Sequence, residues 1–324
     1  MERFEYTSPT TLKEATALLG TNWSDAQALA GGTDLISLMK DYVASPKRVV
    51  NIKGIKELEG ISKTPAGLRI GATVTLDELS LNPLVRAEYP SLQQAALGVA
   101  SPQIRNMGTV GGDLCQRPRC WYFRGGHGLL AMKDGKSLVP DGENRYHAIF
   151  GGGPAYFVSA SSLGPALVAL GAQIKLVSAS GPRTVAADKF FVNPQSDTAR
   201  EIALQPGEIL TEIVIPAGAA KNATYEVRHK DALDWPLVTA SVALKMAGGK
   251  VTSARVVLGH VAPIPWPAQA ADKLLAGKAI DEAVAEAAGA AAVEGAKPLS
   301  QNEYKIQLAK VAVKRALLQT VAKA

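Results

Sequence analysis

Two stretches decide how this chain is read: Ala30-Gly31-Gly32-Thr33-Asp34-Leu35 and Thr109-Val110-Gly111-Gly112-Asp113-Leu114. In each, a Gly-Gly pair lacks the Cβ atoms that would keep backbone amides away from an oxyanion. One such turn is an ordinary chain reversal, whereas two predict a diphosphate held from both sides. The first is preceded by a short apolar strand, Ala26 to Ala30, which includes Ala28 and Leu29. It is followed by a helix opening at Leu35, with Asp34 or Thr33 as its cap. A loop ending at a helix N-terminus favours an anion, because free amides and the positive end of the helix dipole meet there. The second lies in Ser101 to Leu114, where Ser101, Gln103, Arg105 and Asn106 stand just ahead of Gly108, Gly111 and Gly112. Donors and flexible backbone are therefore concentrated in one loop, with Arg105 as a supporting charge.

Composition narrows the classes. A chain of 324 residues, 47% hydrophobic and 20% charged, is a globular chain with a large core. Its net charge of +6 is modest, and no basic run is interleaved with aromatics, so nucleic acid is not predicted. Met1-Glu2-Arg3-Phe4-Glu5-Tyr6 carries acids where a signal peptide needs a basic start, and no apolar run spans a bilayer. The expected compartment is the cytoplasm, or the periplasm by co-export with a partner that carries the signal. The two cysteines, Cys115 and Cys120, fall short of a four-cysteine metal site. They read as reduced thiols, and no metal is assigned. Neither Gly-x-Gly-x-x-Gly nor Gly-x-x-x-x-Gly-Lys-Ser/Thr occurs, which excludes the two commoner nucleotide loops.

Periodicity organises the chain into three lobes. Residues 1–60 alternate helix and strand, with a capping box at Thr11-Leu12-Lys13-Glu14 and a strand at Arg48 to Ile52. Residues 61–217 form a second lobe with a capping box at Thr75-Leu76-Asp77-Glu78, a helix after Pro90, and an irregular insert at 117–153. Beyond the insert come a strand at Tyr156 to Ser159, a helix from Ser162 to Leu170, and strands at Gln173 to Val177 and Leu210 to Pro216. The last of these closes the lobe. In residues 222–324, three antiparallel strands precede Ala-rich helices ending with Tyr304 to Val321. The fold class is α+β.

Several segments resemble the FAD-binding subunits of molybdenum hydroxylases. They are the two glycine loops with Gln103-Ile104-Arg105-Asn106-x-Gly108-Thr109, Glu212 to Pro216, and Leu237-Val238. Gln116 to Arg124 and Gly142 to Ala148 are similar to the periplasmic-type aldehyde oxidoreductase branch. The resemblance implies a two-lobed FAD-binding domain of the vanillyl-alcohol-oxidase and MurB type, and a C-terminal domain like that of the carbon monoxide dehydrogenase flavoprotein. It implies FAD on this chain, a large molybdenum-cofactor subunit, a small subunit with [2Fe-2S] clusters, and an external electron acceptor. Ala28 to Leu35, Gly108, Thr109, Gly111, Gly112 and Asp113 are the implied cradle, supported by Arg105, Ser162, Arg228 and Lys230. Departures from the family pattern are equally specific. Leu129 and Ser137 stand where relatives carry cluster-binding cysteines, Asp113 replaces Asn, Ser162 replaces a helix-start acid, and Glu226 replaces a base. The resemblance assigns substrate choice to the molybdenum subunit. It leaves the acceptor open among NAD, quinone, ferredoxin and oxygen.

Plainer readings stand beside these. Arg105 serves equally well in a surface ion pair, His147 as a hydrogen-bonded structural histidine, and Trp121-Tyr122-Phe123 as packing. No nucleophile or paired carboxylate marks an acid-base centre, so no catalytic residue is assigned. The alternatives to an electron-transfer subunit are a self-contained flavin oxidase and a structural subunit without flavin.

Overall fold

A computed structural model describes residues 1–218 and 220–322. Helices and strands are mixed throughout, and three sheets carry the architecture. The first is parallel, with Arg48–Asn51 between Glu5–Thr7 and Ala26–Leu29. Its parallel strands need crossovers, which the helices Leu12–Leu18 and Leu35–Lys40 supply. Ala15, Leu19, Val50, Ile55 and Leu58 form its small core. The Thr11 hydroxyl caps the Glu14 amide, but the Glu14 carboxylate accepts from Thr10 rather than Thr11, so this capping box is only half made. The box at Thr75 and Glu78 is complete.

The second sheet is antiparallel, in the order Ile61–Thr64, Gly67–Gly71, Ile209–Pro216, Gln173–Ser178, Gly181–Ala186. Its last strand in sequence is its middle strand in space. Ile213 and Ile215 are fully buried there, packed with Leu68, Ile70, Leu167 and Ile174. The third sheet pairs Lys221–Val227, Val238–Ala247, Lys250–Gly259 and Trp266–Pro267 in antiparallel order. The helices Gln269–Leu275, Glu282–Ala292 and Tyr304–Val321 cover it through Ala285, Ala288, Ala309, Ala312 and Ala316. Small side chains bring these helices close, and a Cβ on Gly289 would press into the Lys310 backbone.

Three local expectations are corrected. Tyr156 to Ser159 is extended but forms no strand, because its hydrogen bonds go to two separate segments. The Tyr156 carbonyl accepts from Ala148, while the Ser159 amide donates to Ala262. The helix expected from Ser162 is Gly164–Ala169, since Ser161, Ser162 and Leu163 turn toward Asp113. The second glycine stretch is not an open loop but two short helices, Pro102–Met107 and Val110–Cys115. The insert contains the helix Trp121–Arg124 and a hairpin of Met132–Lys133 with Lys136–Ser137. Among the described residues no helix is long and apolar enough to cross a membrane.

Candidate functional site

The Ala26–Leu29 strand delivers the chain to the first glycine pair at the edge of its sheet. Gly32 takes φ +74°, a left-handed conformation that glycine adopts without strain. From here to the helix Leu35–Lys40, the amides of Gly31, Gly32, Thr33 and Asp34 donate to no acceptor among the described residues. Asp34 occupies the capping position without capping, which corrects the expectation from sequence. Its carboxylate points back to the insert and accepts from the Arg117 amide at 2.8 Å and Arg124 at 2.7 Å. It also pairs with Arg119 at 2.8 Å. A capping carboxylate would sit where an anion docks; drawn away by arginines, it leaves the helix start open.

The second glycine pair behaves differently. Val110 and Gly111 donate to the carbonyls of Val74 and Ala72, at 2.8 and 2.9 Å. Gly112 donates to the Thr109 hydroxyl at 3.1 Å, and Asp113 donates to the Thr109 carbonyl. Every amide from Val110 to Asp113 is committed within the protein. Gly111 favours glycine because a Cβ would press on Ala72, 3.0 Å from both its Cβ and its carbonyl oxygen. Gly31 is glycine for a similar reason, since a Cβ there would overlap the Met107 carbonyl beside Gly108.

Ala28, Leu29, Ala30, Gly31, Gly32, Thr33, Asp34, Leu35, Thr109, Gly111 and Gly112 come together around one cleft. Its far wall is Trp23, Arg117, Arg200 and the segment Gly207 to Leu210. Arg200 lies 4.1 Å over the Trp23 ring, and its buried Nε has no hydrogen-bond partner. Burial and neighbouring Arg117 lower the guanidinium to about 10, which leaves it charged at neutral pH. Glu208, on this wall, is already satisfied, accepting from Arg183 at 2.5 and 2.7 Å. Free amides, an unpartnered cation and an aromatic face thus share one cleft. Arg117 is signalled by its place beside the second glycine stretch, whereas nothing in the sequence separates Arg200 from other arginines.

The remaining expected residues lie elsewhere. Asp113 is buried, and its carboxylate accepts from Ser161 at 2.5 Å, Leu163 at 3.0 Å and the Ser162 amide at 3.2 Å. Burial raises its pKa against these donors. Neither Asp113 nor Ser162 lines the cleft. Arg105 forms no surface ion pair; it donates to the Val99 carbonyl at 2.9 Å, and Arg228 donates to Gly98 at 2.8 Å. Both cations serve the carbonyl end of the helix Pro90–Gly98, as such ends favour. Beside them Glu226 is buried, 3.7 Å from Arg228, with neither carboxylate oxygen hydrogen-bonded. Burial pushes it up to about 7. Lys230 lies beyond the strand, where its amide donates to Asp234. Cys115 and Cys120 are free thiols, and burial pushes Cys115 up to about 12.

Comparison with known proteins gives this geometry its family. Residues 2–218 match the FAD binding domain in molybdopterin dehydrogenase, and residues 223–320 match the CO dehydrogenase flavoprotein C-terminal domain. The chain is 32% identical over 321 residues to the carbon monoxide dehydrogenase medium chain of Hydrogenophaga pseudoflava, covering 97% of this chain and 96% of that one. It is also 32% identical over 338 residues to the aldehyde oxidoreductase FAD-binding subunit PaoB of Escherichia coli K12, covering 100% of both. Among solved structures, the carbon monoxide dehydrogenase from Hydrogenophaga pseudoflava that lacks the Mo-pyranopterin moiety superposes with a TM-score of 0.76 at 32% identity, covering 99% of each chain. A cyanide-inactivated Cu,Mo-CO dehydrogenase superposes with a TM-score of 0.77 at 29% identity, covering 98% of this chain and 97% of that one. With both domains matched and the fold shared end to end, this chain belongs to the family of FAD-binding medium subunits of molybdenum hydroxylases.

Proposed function

We propose that this chain carries FAD in the cleft between its first two lobes. It takes electrons from the [2Fe-2S] clusters of a small partner subunit and passes them to an external acceptor, while substrate is oxidised on a large molybdenum-cofactor partner. The carrying observation is the run of free amides from Gly31 to Asp34 facing the unpartnered Arg200. Those amides would hold the diphosphate, Arg200 would balance its charge, and Trp23 would present a ring face. When bound, FAD supplies the redox chemistry, and the protein supplies orientation and field. Asp34 contributes by staying away: Arg119 and Arg124 hold its carboxylate off the anion's seat. The lobes on this reading are residues 1–60, 61–217 and 222–324. The subunit works in the cytoplasm, or in the periplasm after co-export with a partner.

The deciding experiment is a flavin titration of the purified full chain, read by absorbance, beside Arg200→Ala. A charge-assisted contact is worth roughly 1.5–3 kcal/mol, so the variant should bind FAD about tenfold or more weakly with its unfolding midpoint unchanged. A wild-type chain that takes up no FAD would favour the flavin-free structural subunit. Rapid reduction of bound FAD by an organic substrate in the isolated chain would favour the self-contained oxidase.

A further inference from the structure

Trp23 and Arg200 reach the same wall of the cleft from segments that feed different sheets. Trp23 stands in residues 19–25, the turn between the helix Leu12–Leu18 and the strand Ala26–Leu29 of the first sheet. Arg200 stands in residues 191–208, which lead into Ile209–Pro216, the middle strand of the second. The two segments touch twice. The guanidinium lies 4.1 Å over the indole ring. Gly207, at φ +79°, passes so close to Gly20 that a Cβ there would stand 2.9 Å from the Gly20 carbonyl oxygen.

The indole is the partner that Arg200 has in place of an acid. Its neighbour Glu201 is taken by Arg117, and the buried Nε of Arg200 has no hydrogen-bond partner. Arg117 also repels it, since like charge is one cause of the lowered Arg200 pKa. A long cationic side chain in that position has many rotamers to choose from, and fixing one costs conformational entropy. The Trp23 ring supplies the restraint. It is packed against the core of the second sheet, and a ring face attracts a cation lying within about 6 Å of its centre, more strongly where water is excluded. An indole face differs from a carboxylate in what it leaves over. A carboxylate would accept the N–H groups and neutralise the charge, whereas a ring face holds the guanidinium flat and leaves both for an anion.

We propose that Trp23 is a positioning residue for anion binding in the cleft: it orders Arg200 through its ring face and keeps the charge and N–H donors of the guanidinium available to a diphosphate. The identity of the dinucleotide rests on the proposed FAD function; the relation between Trp23 and Arg200 holds for any diphosphate seated there.

Inorganic pyrophosphate separates this role from direct stacking, because it offers Trp23 no ring. The experiment is calorimetric titration of the full chain with pyrophosphate at low ionic strength, with FAD titrated in parallel. Saturable pyrophosphate binding is expected, and Arg200→Ala should weaken it about tenfold or more. Trp23→Leu, which stays apolar but has no ring, should weaken it about three- to tenfold, and Trp23→Phe should recover most of that loss. The double variant is decisive: with Arg200 already removed, Trp23→Leu should change nothing further. Equal effects of Trp23→Leu in both backgrounds, no recovery with Trp23→Phe, or no saturable pyrophosphate binding by the wild type overturns the proposal. If circular dichroism shows Trp23→Leu unfolded, the cycle is run with Trp23→Phe, whose smaller loss must likewise vanish once Arg200 is gone. A chain that binds pyrophosphate in this pattern but takes up no FAD sinks the proposed function and leaves the Trp23 assignment standing. FAD uptake with pyrophosphate affinity indifferent to Trp23→Leu sinks the Trp23 assignment alone.

Discussion

Gly31-Gly32 and Gly111-Gly112 are the same two letters, the first just ahead of a short helix and the second in the first turn of one, and their amides have opposite fates. Around the first pair, four successive N–H groups beside the cleft have no acceptor among the described residues. Around the second, every N–H from Val110 to Asp113 is taken by Ala72, Val74 or Thr109. The first pair leaves donors for a ligand, while the second fastens the second lobe to itself. On the proposed function, the first loop would grip a diphosphate with its amides and the second would form the opposing wall. The acids that follow diverge as well. Asp34 is pulled outward to the insert, and Asp113 is turned inward to Ser161, Ser162 and Leu163.

The sharpest way to break this contrast is at Asp34. Replacing it with Ala leaves Arg119 and Arg124 without their carboxylate in a half-buried site, a loss of about 3–5 kcal/mol when one partner of a buried pair is removed. Denaturant unfolding should show that loss, with FAD binding lost as the insert detaches. Stability within about 0.5 kcal/mol of wild type would mean that the arginines do not fasten the insert to the loop.

Gly111→Val comes next. Its side chain would press on Ala72, and overpacking of this kind costs about 1–3 kcal/mol. The cost should appear in the FAD-free chain. Gly32→Ala, whose Cβ meets only the side chains of Leu29 and Ile36, should chiefly lower FAD affinity by disturbing the φ +74° turn. If Gly111→Val lost FAD at undiminished stability, the two pairs would be equivalent after all.

The smallest effect concerns pH. Burial raises Asp113 above its ordinary 3.8, so the folded chain holds this proton more tightly than the unfolded chain. Its contribution to stability is therefore greatest at acid pH and declines as pH rises from about 4. Asp113→Asn should flatten that decline while leaving FAD affinity alone, as paired unfolding curves across the range would show. A large change in FAD affinity would return Asp113 to the ligand side of the second stretch.

The insert shows why some of this was hidden from the sequence. In the sequence, Arg117, Arg119 and Arg124 stand in an irregular insert with nothing to mark their partners. In the fold, Arg119 and Arg124 lock onto Asp34, and Arg117 pairs with Glu201. Arg200 and Trp23 were invisible for a related reason, because they matter only through their distance from a loop remote in sequence.

What the sequence determined by itself is what short-range periodicity and backbone chemistry encode. Alternation marks Leu210 to Pro216 as a strand, Thr75 and Glu78 start a helix, and alanine spacing builds the helices over the third sheet. Both Gly-Gly pairs announce close backbone approach, and with their flanking residues they carry the family. Only the tertiary structure decided what approaches them. Whether an amide stays free depends on whether a carbonyl from a distant segment reaches it first, as Ala72 reaches Gly111. Whether a carboxylate caps its own helix depends on a competing cation such as Arg124, ninety residues from Asp34. Local sequence supplies the donors and acceptors, and the fold decides which remain open because only three-dimensional proximity sets the competition among them.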